Sequence, residues 1–249
     1  MNEYELILKK NRKEISGWPK ENDVVLIISG GLDSVIMAAK LLEKGYTVYP
    51  LHIERGQTNY LAERKSIIWF TKFYQKKYPE KFKDTLFIKL NIPPKEFKKS
   101  LIPYTQKNGH PLRDTMLQMA AVQYATSLQA RNINVNSIFC AVMPEDHFPH
   151  SNLKSIRATN VAVCQNTNNW NWLITSPNID PYLESNPIDK PASIKWASEH
   201  DIPIEYTVSC NESSKLTNLR NCGTCSSCLK RQSAFKTAKV KDKTKYYTD

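Results

Sequence analysis

The chain has 249 residues, a net charge of +11, 41% hydrophobic and 24% charged residues, the balance of a soluble protein with room for one sizeable core. No run approaches the ~18 apolar residues that a membrane span needs. The N-terminus mixes acids with bases and has no continuous apolar stretch, which argues against a secretory signal and makes the cytoplasm the expected compartment. Lysine dominates the charge, so anionic partners are favoured, but its runs are dispersed and read first as solvated surface. Direct nucleic-acid binding stays open on this ground.

Residues 1–22 read as a charged helical extension broken near Gly17-Trp18-Pro19. The run 24–28, "VVLII", is continuous and apolar, as in a strand buried on both faces. Residues 33–45 have helical spacing and end at Gly45, a C-cap residue. Strands are expected at 46–53, 85–92, 137–142, 171–177 and 204–210. Helices are expected at 60–78, 114–132, 151–169 and 191–201, the last with a proline at an early position. Loops fill 54–59, 93–113 and 143–150. Strands alternate with helices from residue 24 to about 210, which predicts an α/β fold with a parallel sheet covered on both faces. Three parts follow: the extension 1–22, an α/β domain 23–209, and a cysteine-rich knuckle with a basic helix and tail, 210–249.

Ser29-Gly30-Gly31-Leu32-Asp33-Ser34 lies between the first strand and the first helix of that domain. Two glycines let backbone approach a ligand, the helix start offers unpaired N–H groups, and two serines add hydroxyls. The set can cradle an anion, and it is equally readable as a tight turn. It is not a Walker loop.

Four of the six cysteines crowd together, with the spacing Cys210-x11-Cys222-x2-Cys225-x2-Cys228. Four thiolates at such spacing suit tetrahedral zinc in a filled, structural site. Three close cysteines also suit an iron–sulfur cluster. Cys140 and Cys164 stand apart in apolar contexts.

"SGGLDS" after a buried strand resembles the SGGxDS signature of the PP-loop ATP pyrophosphatases. The resemblance implies a Rossmann-like fold of the adenine nucleotide alpha hydrolase type. It also implies ATP held by Ser29, Gly30, Gly31, Leu32, Asp33 and Ser34, with adenine beside Leu51, His52 and Ile53. Asp33 would orient the loop or a Mg²⁺ ion.

The tail narrows this. "TVSCNESS…NCGTCSSCLKRQSAF" resembles the C-terminus of the 7-cyano-7-deazaguanine synthase (QueC-type) family, with Thr207, Cys210, Cys222, Gly223, Cys225, Cys228, Arg231 and Phe235 in place. "ERGQ" (54–57) resembles the family's Y-G-Q turn and retains Gly56-Gln57. "PLRDTMLQMAAVQYA" (111–125) resembles its P-x-R-N helix start, and "PIDKPASIKWA" its lysine-bearing segment. The resemblance spans about residues 23–236. It implies ATP, Mg²⁺ and Zn²⁺ as cofactors and 7-carboxy-7-deazaguanine as substrate. The carboxylate is adenylated, pyrophosphate leaves, and ammonia gives an amide and then a nitrile. Asp33, Arg113 and Lys190 would be catalytic, and Gln57, Arg113, Asp114, Glu145 and Asp146 would meet the substrate. Zinc would sit on Cys210, Cys222, Cys225 and Cys228. Members are often homodimers.

Two segments depart from the family. Its E-x-D-x(3)-Y-P-D-C loop is "PEDHFPHSN" (144–152) here, and its R-N is Arg113-Asp114. His147 and His150 read first as pocket-lining or surface residues, and second as proton carriers. These departures keep a second reading open: a QueC-like enzyme of a bacterial anti-phage (CBASS-type) system, joining a deazaguanine to a protein amine and stopping at the amide. A tRNA-thiolating PP-loop enzyme and a non-catalytic nucleotide-binding module are weaker readings.

Overall fold

The computed structural model describes residues 1–216 and 218–247. Five strands form one parallel sheet: β1 (Asp23–Ile27), β2 (Thr47–Glu54), β3 (Leu86–Lys89), β4 (Ser137–Phe139) and β5 (Leu173–Thr175). Their order is β3-β2-β1-β4-β5. β1 pairs β2 with Val24 opposite Val48, and pairs β4 with Leu26 opposite Phe139. The chain leaves β1 toward β2 on one side and later returns to β4 on the other. A crevice opens at such a switch point, above the carboxyl ends of the strands.

Helices cover both faces: α1 (Glu3–Arg12), α2 (Leu32–Glu43), α3 (Tyr60–Lys77), α4 (Lys95–Lys98), α5 (Ile102–Asn108), α6 (Arg113–Gln129), α7 (Leu153–Thr167), α8 (Lys190–Glu199) and α9 (Ser226–Ala238). Alternation along β1 assigns the layers. Val24, Leu26 and Ile28 pack with α2, α3, α8 and α9, whereas Val25 packs with α6 and α7. Val24, Val25 and Leu26 are fully buried, and each such side chain contributes about 1.5–3 kcal/mol.

α1 opens on a capping box in which Asn2 Oδ1 accepts from Glu5 N and Glu5 Oε2 accepts from Asn2 N, both at 3.0 Å. The helix packs on α7, and Arg12 donates to the carbonyls of Ile15 and Trp172. The extension is therefore docked on the α/β core. Trp18 stacks on Tyr46 and Phe139. Among the described residues, no helix is long and apolar enough to cross a membrane.

Three expectations are corrected. Residues 204–210 form no sixth strand: Ile204–Tyr206 is a 3-10 turn, and the segment after it is extended but outside the sheet. Its backbone groups bond elsewhere, to Gly30 and to the Asn221 side chain. The expected loop 93–113 contains α4 and α5, whose short length and few buried residues leave little periodicity to read. The strands at 85–92, 137–142 and 171–177 are also shorter than expected, because the sheet ladder ends before the apolar runs do.

Candidate active site and cysteine centre

The turn after β1 is knitted by its own side chains. Ser34 Oγ accepts from Ser29 N at 3.1 Å, donates to Gly31 O at 3.1 Å, and lies 3.0 Å from Ser29 Oγ. Gly31 is the N-cap of α2 and supplies no side-chain cap, so the first N–H groups of the helix are left for a ligand. Leu32 buries its side chain in the core and contributes backbone only. Gly30 is held from outside. Its carbonyl accepts from Ser66 Oγ at 2.8 Å and from Val208 N at 3.0 Å. Its φ is +72°, and a Cβ there would meet the Glu63 carbonyl oxygen at 2.7 Å.

A cavity of about 250 Å³ lies over this turn. Ser29, Gly31, Asp33 and Ser34 form one side of it, and Arg55, Arg113, Asp114 and Gln118 line it too. Asp33 Oδ2 pairs with Lys190 Nζ at 2.6 Å, and its buried Oδ1 has no hydrogen-bond partner among the described residues. Lys190 is brought there by the N-terminus of α8, which Asp189 caps through Ala192 N at 2.8 Å. Arg113 Nε pairs with Asp114 Oδ1 at 2.7 Å, and Ser151 Oγ donates to Asp114 Oδ2. Phe148 lies 5.8 Å from the Arg113 guanidinium and stacks on His150.

The other sequence-predicted residues lie as follows. Asp146 lines the cavity, and its Oδ2 accepts from Met143 N at 2.9 Å. Glu145 is turned outward and ties α8 by accepting from Lys190 N at 3.0 Å. Gln57 closes its own turn, accepting from Arg55 N and donating to Glu63 Oε2, both at 2.7 Å. Leu51, His52 and Ile53 are buried in β2, and their side chains do not line the cavity. His52 Nδ1 lies 2.9 Å from Ile28 O. Burial pushes the His52 imidazole toward its neutral form, against the hydrogen bond to Ile28 and the charge of Glu63. Burial likewise lowers the pKa of His150, with Asp114 opposing and Arg113 and His110 adding to the effect. His147 is exposed.

Sequence reasoning missed Arg55, Gln118, Asn221 and the buttressing role of Arg231. Arg55 had a signal, since it occupies the tyrosine position of the Y-G-Q turn. Gln118 had a weaker one, a polar residue on the buried side of an apolar helix. Asn221 had none.

The cysteine cluster lies at the start of α9. The four Sγ atoms of Cys210, Cys222, Cys225 and Cys228 all fall within 4.8 Å of one another. Two of the separations are 3.9 Å. Tetrahedral zinc with Zn–S bonds near 2.3 Å sets thiolates about 3.8 Å apart, so the cluster could hold a metal such as zinc. Backbone N–H groups of Glu212 and Cys222 point at Cys210 Sγ, at 3.2 and 3.3 Å. Burial opposes the Cys222 thiolate, but N–H donation from Thr224 and Cys225 outweighs it and brings the thiol down to about 6.

The knuckle is bolted to the turn over β1. Asn221 Oδ1 accepts from Ser209 N and Cys210 N at 2.9 and 3.1 Å, and its Nδ2 donates to Thr207 O at 3.1 Å. The buried Arg231 of α9 donates to Thr207 Oγ1, Ser209 Oγ, Ile204 O and Thr244 Oγ1, at 2.7–3.1 Å. Val208, between these anchors, then holds Gly30.

A family model described as "Queuosine biosynthesis protein QueC" matches residues 23–239. The chain belongs to the QueC family. That places it in the PP-loop ATP pyrophosphatase superfamily, in keeping with the turn, the cavity and the cysteine centre. It is 30% identical to the 7-cyano-7-deazaguanine synthase of Campylobacter fetus, over 89% of this chain and 96% of that one. It is 28% identical to the enzyme of the same name from Acetivibrio thermocellus, again over 89% and 96%. A solved structure titled as a predicted subunit of tRNA methyltransferase from Methanocaldococcus jannaschii is 18% identical, covers 75% of this chain and 91% of that one, and has a TM-score of 0.40. A likeness that slight carries no argument.

Proposed function

We propose that this QueC-family chain adenylates the carboxylate of 7-carboxy-7-deazaguanine with ATP and passes the acyl-adenylate to an amine. With ammonia the product is the amide and, after a second adenylation, the nitrile 7-cyano-7-deazaguanine. The observation that carries the reading is one cavity lined by both the phosphate-cradling turn and the Arg113–Asp114 pair.

In the first step a carboxylate oxygen attacks the α-phosphorus, the bond to the β-phosphate breaks, and pyrophosphate leaves. The N–H groups at the start of α2 and the Lys190 ammonium stabilise the charge on the departing group. In the second step the amine nitrogen attacks the acyl carbon, AMP leaves, and the nitrogen gives up a proton. His150, whose pKa is lowered by burial, lies 4.0 Å from Asp114 and stands beside this end of the cavity. Adenine contacts at Leu51–Ile53 would come from backbone, since the side chains face inward. Mg²⁺ accompanying ATP supplies charge neutralisation, and the unpartnered Asp33 Oδ1 suits a hard cation. Zinc on the four thiolates would be structural, because every position is filled.

A second reading keeps the first half-reaction and replaces ammonia with a protein amine. One observation favours it: two apolar residues beside the cavity-lining Arg113, its chain neighbour Leu112 and Phe148 at 5.8 Å from its guanidinium, are exposed. The thiolase reading loses ground. Cys140 lines the cavity but donates to Thr175 O, and burial raises its thiol pKa far above the thiolate range.

The test is incubation with ATP, 7-carboxy-7-deazaguanine and ammonia, followed by mass spectrometry and a pyrophosphate assay. Pyrophosphate with nitrile supports the first reading. Pyrophosphate with an amide adduct on a protein amine, and no nitrile, supports the second. No pyrophosphate with this substrate overturns both.

A further inference from the structure

We propose that Arg55 and Gln118 read the acceptor substrate at its two ends, Arg55 taking its carboxylate and Gln118 an N–H of its heterocycle. The inference rests on the proposed function and adds two specificity-determining residues to it.

Arg55 lines the cavity together with Arg113. Its backbone is pinned on both sides: the N–H donates to Gln57 Oε1 at 2.7 Å, and the carbonyl accepts from Ile92 N at 3.2 Å. The side chain is half-buried and makes no hydrogen bond or ion pair with a described residue. The other cations of the cavity are paired. Lys190 is paired with Asp33, and Arg113 with Asp114. Asp146 is exposed and accepts from Met143 N. Among the described residues, Arg55 is thus the cavity cation that has no ion pair of its own. Desolvation and the neighbouring Arg113 work against its charge, the more distant Glu63 and Asp114 carboxylates support it without pairing with it, and the guanidinium stays protonated. An unpaired, desolvated cation is unfavourable until an anion joins it. Its planar fork matches a carboxylate, with two parallel hydrogen bonds.

Phosphoryl oxygens are a less suitable occupant. They already have the N–H groups of α2 and the Lys190 ammonium on their own side of the cavity.

Gln118 supplies the second contact. It is 2% exposed, lines the cavity, and its Oε1 has no hydrogen-bond partner among the described residues. Buried amide oxygens are nearly always satisfied. Leu117, Ile27 and Val142 line the same cavity and give a flat heterocycle apolar contacts. A ring N–H donor entering there would satisfy Gln118 Oε1. The substrate is then an anionic heterocycle with an N–H edge, which fits a carboxylated deazaguanine.

The experiment is calorimetric titration of wild type, R55Q and Q118L with three ligands: 7-carboxy-7-deazaguanine, 7-deazaguanine and ATP. Wild type should prefer the carboxylated base. R55Q should lose about 10- to 100-fold in affinity for that base, little for 7-deazaguanine and little for ATP. Q118L should weaken both bases alike and leave the melting temperature unchanged or raised, because it removes an unsatisfied buried oxygen. R55K should recover part of the carboxylate preference. Unaltered preference in R55Q, or unaltered base affinity in Q118L, overturns the assignment while turnover by wild type leaves the proposed function standing. An R55Q defect confined to ATP also overturns it and moves Arg55 to the nucleotide. Wild type that binds ATP but neither base overturns the proposed substrate itself and the assignment with it.

Discussion

The backbone N–H of Val208 donates to the carbonyl of Gly30 at 3.0 Å. Gly30 belongs to the turn after β1, and Val208 to the segment gripped by Asn221 and Arg231. The cysteine centre therefore supports the proposed ATP site through a short chain of hydrogen bonds, although Cys222 and Gly30 lie far apart in sequence.

Metal loss should therefore be felt at the nucleotide. C228S removes a fully buried ligand. Bound zinc should fall from one ion per chain by elemental analysis, stability should fall by about 3–5 kcal/mol, and ATP affinity should weaken in parallel. Full ATP affinity in a zinc-free, folded protein would contradict the coupling.

G30A should disable the turn. Alanine at φ +72° is strained, and its Cβ would meet the Glu63 carbonyl at 2.7 Å. Strain of this kind costs about 1–3 kcal/mol. Displacement of the turn should slow pyrophosphate release by about 100-fold. Urea unfolding and a pyrophosphate assay measure the two effects separately.

K190Q should separate chemistry from folding. The Lys190–Asp33 pair is about a quarter exposed on each side (28% and 25%) and adds about 1 kcal/mol or less to stability. Loss of the ammonium proposed to stabilise the departing pyrophosphate should lower kcat by about 100- to 1,000-fold. The backbone bond from Lys190 to Glu145 survives the change, so α8 should stay in place. A variant with normal kcat would remove Lys190 from the chemistry.

Stability should fall with acidity. Burial holds the folded-state pKa of His52 below its ordinary value, and likewise those of His110 and His150. Above a pH of about 6.5, folded and unfolded chains both carry neutral imidazoles. Below it the unfolded chain takes up protons that the folded chain refuses. Stability is therefore full above about 6.5 and declines as the pH falls toward the folded pKa values, by at most about 1.4 kcal/mol per pH unit for each histidine. Urea titrations at pH 7.5 and 5.5 check this. H52Q should show a shallower decline than wild type.

Much of the molecule was legible before any coordinates. The run Val24–Ile28 announced a strand buried on both faces because every residue in it is apolar. "SGGLDS" and the four-cysteine spacing were recognisable because local geometry dictates them: a tight strand-to-helix turn in one case, a tetrahedral thiolate set in the other. Residues 204–210 misled because their β-forming composition matches a strand, yet their hydrogen bonds go to a turn and a side chain. Glu145 and Gln57 were read as substrate contacts, but the structure turns one outward and folds the other into its own turn.

Sequence by itself determined the alternation of elements, the strand-to-helix turn and the clustering of four cysteines, because each depends on neighbours within about twenty positions. Only the tertiary structure decided which charges are left over. Asp33 meets Lys190 across 157 positions, and Arg113 meets its own neighbour Asp114. Those pairings leave Arg55 with no ion pair among the described residues. Charge compensation is a property of distance in space, and chain order does not encode it.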